Sequence, residues 1–294
     1  LVLECKRAGM KYIALTAKHH DGFALWDSKV SDFDLGATPC KRDILGELAA
    51  ACRRNGIKLG FYYSHWQDWE GTGGDICSVH MENEEYVHPT DEAFAHYWKH
   101  KSLAQVRELI EGYDPAFFWF DTWSDKSFPY VTPERQEELI SLIRALSPNC
   151  LVNSRIQFLA PSEQVDFIST MDNSFPDKGF DKPWETSGTL NDSWGYHCQD
   201  FSWKSSDQLI RLLVGNASLG GNYQLNVGPM GDGRFQEAAI RRLREIGTWM
   251  RVHGESIYGS AGSPVGKMPW GRITSRAEAG QATRYYLHLW KVAA

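Results

Sequence analysis

The run Phe117-Phe118-Trp119-Phe120 ends in Asp121. Four large apolar side chains in succession suit a strand covered on both faces. A carboxylate closing such a run is costly to bury unless it is paired or has a task. Two plain explanations are open: Asp121 caps the following loop, or it pairs with an arginine. The chemical explanation is a covalent nucleophile, held rigidly so that one oxygen meets one carbon in line.

Other residues offer partners for that chemistry. Adjacent His19 and His20 lie in "TAKHHDGFALW", residues 16–26. Neutral imidazoles donate and accept, which suits ring hydroxyls. Metal ligation and loop packing are the alternatives, and neither an HExxH motif nor a third ligand at a recognisable spacing accompanies the pair. Arg155 ends "NSR", residues 153–155. It could hold a carboxylate ionised, bind a hydroxyl, or make a surface ion pair. Tyr62 and Tyr63 point to opposite faces of their strand, so only one can face a site. Acid–base work needs a second carboxylate. Asp172, in "STMDNSFP", sits in a loop that can move toward a leaving group; Glu185, in "KPWETSGT", follows Trp184 at a strand start and could equally be a structural anchor. Paired carboxylates about 5–5.5 Å apart imply retention of configuration, and about 6.5–9.5 Å inversion.

The elements that must position these residues alternate. Strands are predicted over 12–16, 58–64, 117–120, 150–153, 184–190 and 223–229. Helices are predicted over 1–8, 42–56, 92–112, 133–149, 205–221 and 235–254. Several strands are near-continuous apolar runs, the pattern of a parallel sheet covered on both faces. Polar residues fall at the C-terminal ends of successive strands: His19 and His20, Tyr62 and Ser64, Asp121, Asn153 and Arg155, Glu185, Asn226. In a (β/α)8 TIM barrel such residues converge on one rim. An open doubly wound sheet would gather them at one switch point, and no GxGxxG opens a helix here. The expected fold is therefore an α/β barrel with about six of its eight strands, covering 1–254. Residues 255–294 have strand-like alternation and are expected to begin a C-terminal β-sandwich. The chain opens on Leu1 in a helix and stops in a strand, so it is expected to be a piece lacking the first two βα units.

Composition narrows the partners. The chain has 294 residues, 42% hydrophobic and 23% charged, with a net charge of −6. That balance leaves no basic footprint for nucleic acid, and scattered basic residues imply no anionic membrane surface. No apolar run reaches the ~18–20 residues of a membrane span. The 12 tryptophans suit stacking on sugar faces, although most serve an aromatic core. The six cysteines, including Cys77, form no CxxC and no disulfide framework. Asn191 and Asn216 begin glycosylation sequons.

In combination, "AGMKYIALTAKHHDGFALWDS", "GIKLGFYYSHWQDW", "FFWFDTW", "LVNSR", "DKPWETSGTLNDSWGY", "LGGNYQLNVGPMGDG" and "IGTWMRVHGESIYG" resemble the α-L-fucosidases of glycoside hydrolase family 29. The segments run in order over residues 8–259. The resemblance implies a retaining exo-glycosidase that removes terminal α-L-fucose from oligosaccharides or glycoconjugates, with no metal or other cofactor. It puts Asp121 at the nucleophile. His19, His20, Tyr62 and Arg155 fall at fucose-binding positions, and Trp26 and Trp123 at pocket walls. Asp172 and Glu185 both match positions given the acid/base role, and Asp172 is preferred for its loop. Two departures stand out. Thr122 replaces the family's usual glycine after the nucleophile, and a segment ending His-Trp-Gly is missing. The alternatives are a truncated, inactive carbohydrate-binding barrel, or a retaining glycosidase for a related sugar such as galactose. The resemblance also implies a secreted, periplasmic or lysosomal location, and it is compatible with a homo-oligomer.

Overall fold

The computed structural model describes residues 1–75, 88–123, 125–127, 129–157, 162–277 and 279–290. Cys77 and the last four residues of the expected final strand lie outside them. In chain order the elements are α1 (Val2–Arg7), β1 (Tyr12–Lys18), α2 (Ile44–Asn55), β2 (Lys58–Tyr63), α3 (Asp91–Tyr97), α4 (Leu103–Tyr113) and β3 (Phe117–Phe120). Then follow α5 (Pro133–Leu146), β4 (Leu151–Val152), β5 (Ile168–Ser169), β6 (Trp184–Thr189), α6 (Ser206–Ala217), β7 (Asn222–Asn226), α7 (Glu237–His253), β8 (Gly271–Arg276) and β9 (Arg284–Leu289). They pack as two compact units, Lys11–Asp166, and Leu1–Met10 together with Phe167–Ala294.

In the first unit β1 to β4 form a parallel sheet in sequence order. Its register pairs Thr16 with Tyr62, Tyr62 with Trp119 and Phe118 with Val152. All four residues of β3 are buried, as an apolar run between two covered faces requires. Gly60 on β2 pairs with Phe117, and a Cβ there would fall 2.4 Å from the phenylalanine ring, so the close approach of these strands requires glycine. The connecting helices carry their own punctuation. The Asp43 side chain caps α2, which ends at Gly56 in the left-handed conformation with φ +67°. Thr132 caps α5 ahead of Pro133. The helix expected over 92–112 is interrupted by a π turn, Trp98–Ser102. That turn directs Lys101 and Ser102 into the interior, where both are buried.

In the second unit β5, β6 and β7 form a parallel sheet, and β8 and β9 an antiparallel pair. Among the described residues there are thus seven parallel strands rather than the six expected. The addition is β5, whose two residues are too short to display a period. β6 is polar in sequence yet buried along its whole length. Ser205 and Gln208 form a capping box at the start of α6. Asn216, within α6, is 2% exposed and donates its amide to Asn222 O at 2.8 Å, so its sequon is closed in the folded chain. Among the described residues, Cys40, Cys52, Cys150 and Cys198 are free thiols. No described helix is long and apolar enough to cross a membrane.

Candidate active site

Parallel strands put their C-terminal ends on one edge, and the first unit gathers its polar residues there. β1 delivers His19 and His20, β2 delivers Tyr62 and Ser64, β3 delivers Asp121, and the turn after β4 delivers Arg155.

The backbone around Asp121 is fastened on several sides. Asn153, just past β4, accepts from Phe120 N at 2.9 Å and donates to Phe120 O at 3.1 Å. Its amide thereby extends the strand pairing by one residue. Thr122 donates both its N–H and its hydroxyl to Arg155 O, each at 2.8 Å. The Thr122 side chain therefore ties the segment down. Trp66, fully buried, donates its indole N–H to Asp121 O at 2.9 Å.

Asp121 is 8% exposed, and its carboxylate has donors on both oxygens. The hydroxyl of Tyr62 donates to Oδ2 at 2.6 Å. Nη2 of Arg155 donates to Oδ1. Nε2 of His20 lies 3.7 Å from Oδ2. Burial alone would raise the carboxyl pKa, but the Arg155 charge and the Tyr62 hydrogen bond outweigh it and hold the group below its ordinary value. Asp121 is therefore ionised at neutral pH. The arginine-pairing explanation is correct, and it is the condition a nucleophile needs rather than an alternative to one.

Flat groups form a column beside this carboxylate. His19 stacks on Tyr62 with ring centroids 5.1 Å apart and planes within 7°. Tyr62 stacks on Trp119 at 5.4 Å, and the Arg155 guanidinium lies 4.7 Å from the Trp119 ring centroid. Trp119 was not singled out from sequence, although strand alternation carries the signal: it lies two residues before Asp121 and so shares its face. Alternation also separates the two tyrosines. Tyr62 faces the carboxylate, whereas Tyr63 is fully buried and donates to Gln105 at 2.8 Å.

Burial lowers the pKa of His20 to about 3, so its imidazole is neutral. Burial likewise lowers His65 to about 4; its Nε2 donates to Ile156 O at 2.8 Å, next to Arg155. Beneath His20 lies a buried ionic network. Lys18 reaches Asp68 at 2.9 Å and Tyr97 at 3.0 Å. Lys101, presented by the π turn, reaches the same Asp68 oxygen at 2.9 Å and also pairs with Glu70. Trp69 N, between the two acids, donates to His20 O at 2.7 Å. The network thus sets the backbone from which His20 projects.

His19, His20 and Asp121 bring three metal-capable atoms within 4.8 Å of one another. The guanidinium already on Asp121 opposes a dication there by like-charge repulsion.

The remaining expected residues are distributed differently. Trp123 is half-buried, and its indole donates to Gln67 at 3.1 Å, beside Trp66. Trp26 is not brought into this cluster. It is 3% exposed and donates to Glu108 on α4 at 2.8 Å, which makes it part of the scaffold. Asp172 and Glu185 belong to the second unit. Asp172 is exposed in the loop after β5, and its neighbour Asn173 is pinned to Ser187 O at 3.0 Å. Glu185 is 4% exposed on β6 and accepts from Ser169 at 3.1 Å.

Residues 1–255 match the family model described as alpha-L-fucosidase. The chain belongs to that family. A tissue alpha-L-fucosidase of Mus musculus is 30% identical over 272 residues, covering 86% of this chain and 54% of the mouse protein. The crystal structure of an alpha-L-fucosidase from a Vibrio species matches at TM-score 0.85 and 36% identity, over 98% of this chain and 49% of that one. An alpha-L-fucosidase from Lactobacillus casei, solved with alpha-L-fucose product, matches at TM-score 0.72 and 34% identity, over 86% of this chain and 79% of that one. The chain spans about half the length of the curated relatives it matches.

Proposed function

We propose that this chain is the catalytic part of an α-L-fucosidase that acts with retention, through a covalent fucosyl ester on Asp121. The observation that carries the reading is the state of that carboxylate: ionised, nearly closed off, and fixed by Tyr62 and Arg155. A nucleophile must be both charged and stationary.

In the first step an oxygen of Asp121 bonds to the anomeric carbon as the glycosidic C–O bond breaks. Asp172 gives its proton to the departing oxygen. In the second step Asp172 takes a proton from water, the water oxygen bonds to the anomeric carbon, and the ester C–O bond breaks. Two inversions give net retention. Positive charge that develops on the ring is met by the carboxylate. His19, His20, Tyr62 and Arg155 serve the ring hydroxyls. Trp119 and Trp123 supply an apolar wall for the methyl group on C5.

Asp172 suits the acid/base role because its carboxylate is exposed in a loop, where the oxygen of a leaving group can reach it. Glu185, buried against Ser169, suits a strand anchor. Residues 1–254 form the catalytic region in this reading, and 255–294 begin a β domain. Substrates are fucosylated oligosaccharides or glycoconjugates. The test is a 2-fluorofucosyl fluoride, which accumulates the ester. After digestion the label is expected on the peptide bearing Asp121; a label on any other peptide overturns the assignment. The first product released from an aryl α-L-fucoside is expected to be the α-anomer by NMR. An aryl α-L-galactoside, whose C6 hydroxyl meets the apolar wall, should turn over more slowly.

A further inference from the structure

The fucosidase reading leaves open how His20 presents itself to a sugar. A neutral imidazole carries one proton, and its position decides whether the nitrogen nearest Asp121 donates or accepts. The surroundings of His20 decide it. Nδ1 lies 2.6 Å from Oγ of Ser64. Ser64 is fully buried, and its hydroxyl donates to Gln67 O at 2.9 Å. A serine hydroxyl has one proton, and this one is committed to a carbonyl that can only accept. Oγ is therefore an acceptor toward His20, and Nδ1 must bring the proton. The chain runs in one direction, from Nδ1–H to Oγ–H to the Gln67 carbonyl. Trp69 N holds the His20 carbonyl at 2.7 Å, which fixes the backbone from which the ring projects.

We infer that Ser64 is a positioning residue: it fixes the Nδ1–H tautomer of His20 and leaves Nε2 as a hydrogen-bond acceptor beside the Asp121 carboxylate. Nε2 and Asp121 Oδ2, 3.7 Å apart, then present two acceptors side by side. The ligand group that suits Nε2 is a donor, and a sugar ring hydroxyl is one. With the opposite tautomer, Nε2–H would donate toward Asp121, draw electron density from the nucleophile, and deny the hydroxyl the Nε2 acceptor. Ser64 thus acts on the reaction through His20 and touches no substrate itself. The inference rests on the fucosidase reading only for the identity of the sugar.

The test uses the intact protein labelled with ¹⁵N-histidine, with His20 assigned by the signal lost in His20→Gln. Wild-type His20 is expected to show a protonated Nδ1 and an unprotonated Nε2. A proton on Nε2 overturns the inference. Ser64→Thr and Ser64→Val place nearly the same volume at the buried site but differ in the hydroxyl, so steric cost cancels between them. The threonine variant should keep the wild-type nitrogen signature, and the valine variant should lose it. On an aryl α-L-fucoside, kcat/KM should be about tenfold lower for valine than for threonine. For one monodeoxy fucoside, lacking the hydroxyl that His20 serves, that difference should disappear. Equal behaviour of the two variants on every substrate overturns the inference. Protonated Nδ1 together with no fucoside turnover by the wild type would uphold the tautomer and sink the fucosidase reading.

Discussion

Tyr62 gives its phenolic proton to Oδ2 of Asp121 across 2.6 Å, while its ring is held between His19 and Trp119. The tyrosine thus does two separable things. It helps keep the carboxylate ionised, and it forms the middle of the stacked column. Tyr62→Phe removes the first and preserves the second. A hydrogen bond to a charged group contributes about 1.5–3 kcal/mol, so kcat/KM for an aryl α-L-fucoside should fall by roughly 10- to 100-fold. Thermal stability should stay near wild type, because the stacking survives. An unchanged kcat/KM would place Tyr62 outside the reaction.

Arg155 is the larger electrostatic influence, because it carries a full charge against Oδ1 and lies over Trp119. Arg155→Gln should let the burial of Asp121 dominate and raise its pKa. The acid limb of the pH profile for kcat/KM should then move to higher pH, with a lower plateau. Arg155→Lys should recover only part of the loss, since an ammonium cannot both stack on the indole and present a planar fork. A profile that keeps its acid limb in Arg155→Gln would mean another group sets the charge of Asp121.

Much of this arrangement is legible in the chain because strand alternation and strand ends are local properties. The acid after an apolar run, the paired histidines and the arginine after a short strand all fall on one sheet edge once the strands are parallel. Four other features depend on partners distant in sequence. β5 is two residues long and exists because Ser169 pairs with Glu185 on β6. Trp26 has the composition of a pocket wall, but its indole N–H finds Glu108 on α4 instead. The π turn that aims Lys101 at Asp68 leaves no mark in the helical period. Ser64 is an ordinary serine until the His20 ring lies over it.

Two buried imidazoles predict the pH dependence of stability. His20 and His65 have pKa values lowered by burial to about 3 and about 4. In the unfolded chain both would titrate near 6.5. Between those limits the unfolded state binds more protons, so stability rises with pH. The lowered pKa of Asp121 acts in the same direction at the acid end. The unfolding midpoint in urea should therefore increase from about pH 4 to about pH 6.5. His65→Gln should flatten part of that slope. A midpoint independent of pH over this window would contradict the burial of these rings.

Asp68 joins two lysines in the interior, and its side chain is fully enclosed. Burial lowers the Lys18 pKa to about 8 despite the acid beside it, so the pair is charged at neutral pH. Removing one member of such a network strands the others. Asp68→Asn should cost about 3–5 kcal/mol of stability. The denaturation midpoint should drop at an unchanged slope. A loss under 1 kcal/mol would mean that the lysines find other partners.

Asp172 and Glu185 are distinguished by kinetics rather than by loss of activity alone. An acid/base residue assists departure of a poor leaving group far more than of a good one. Asp172→Ala should therefore lose about 10²–10⁴-fold on natural-like fucosides, but much less on an aryl fucoside with an acidic phenol. With the phenol already gone, breakdown of the ester lacks its base. Azide, which needs none, should accelerate turnover and yield a fucosyl azide of retained configuration. Glu185→Ala should behave differently. It leaves Ser169 Oγ without its 3.1 Å acceptor at a buried site. The main effect should be lower stability, with similar relative activity on good and poor leaving groups and no azide rescue. If leaving-group dependence and rescue instead follow Glu185, the strand glutamate holds the proton and the loop aspartate does not.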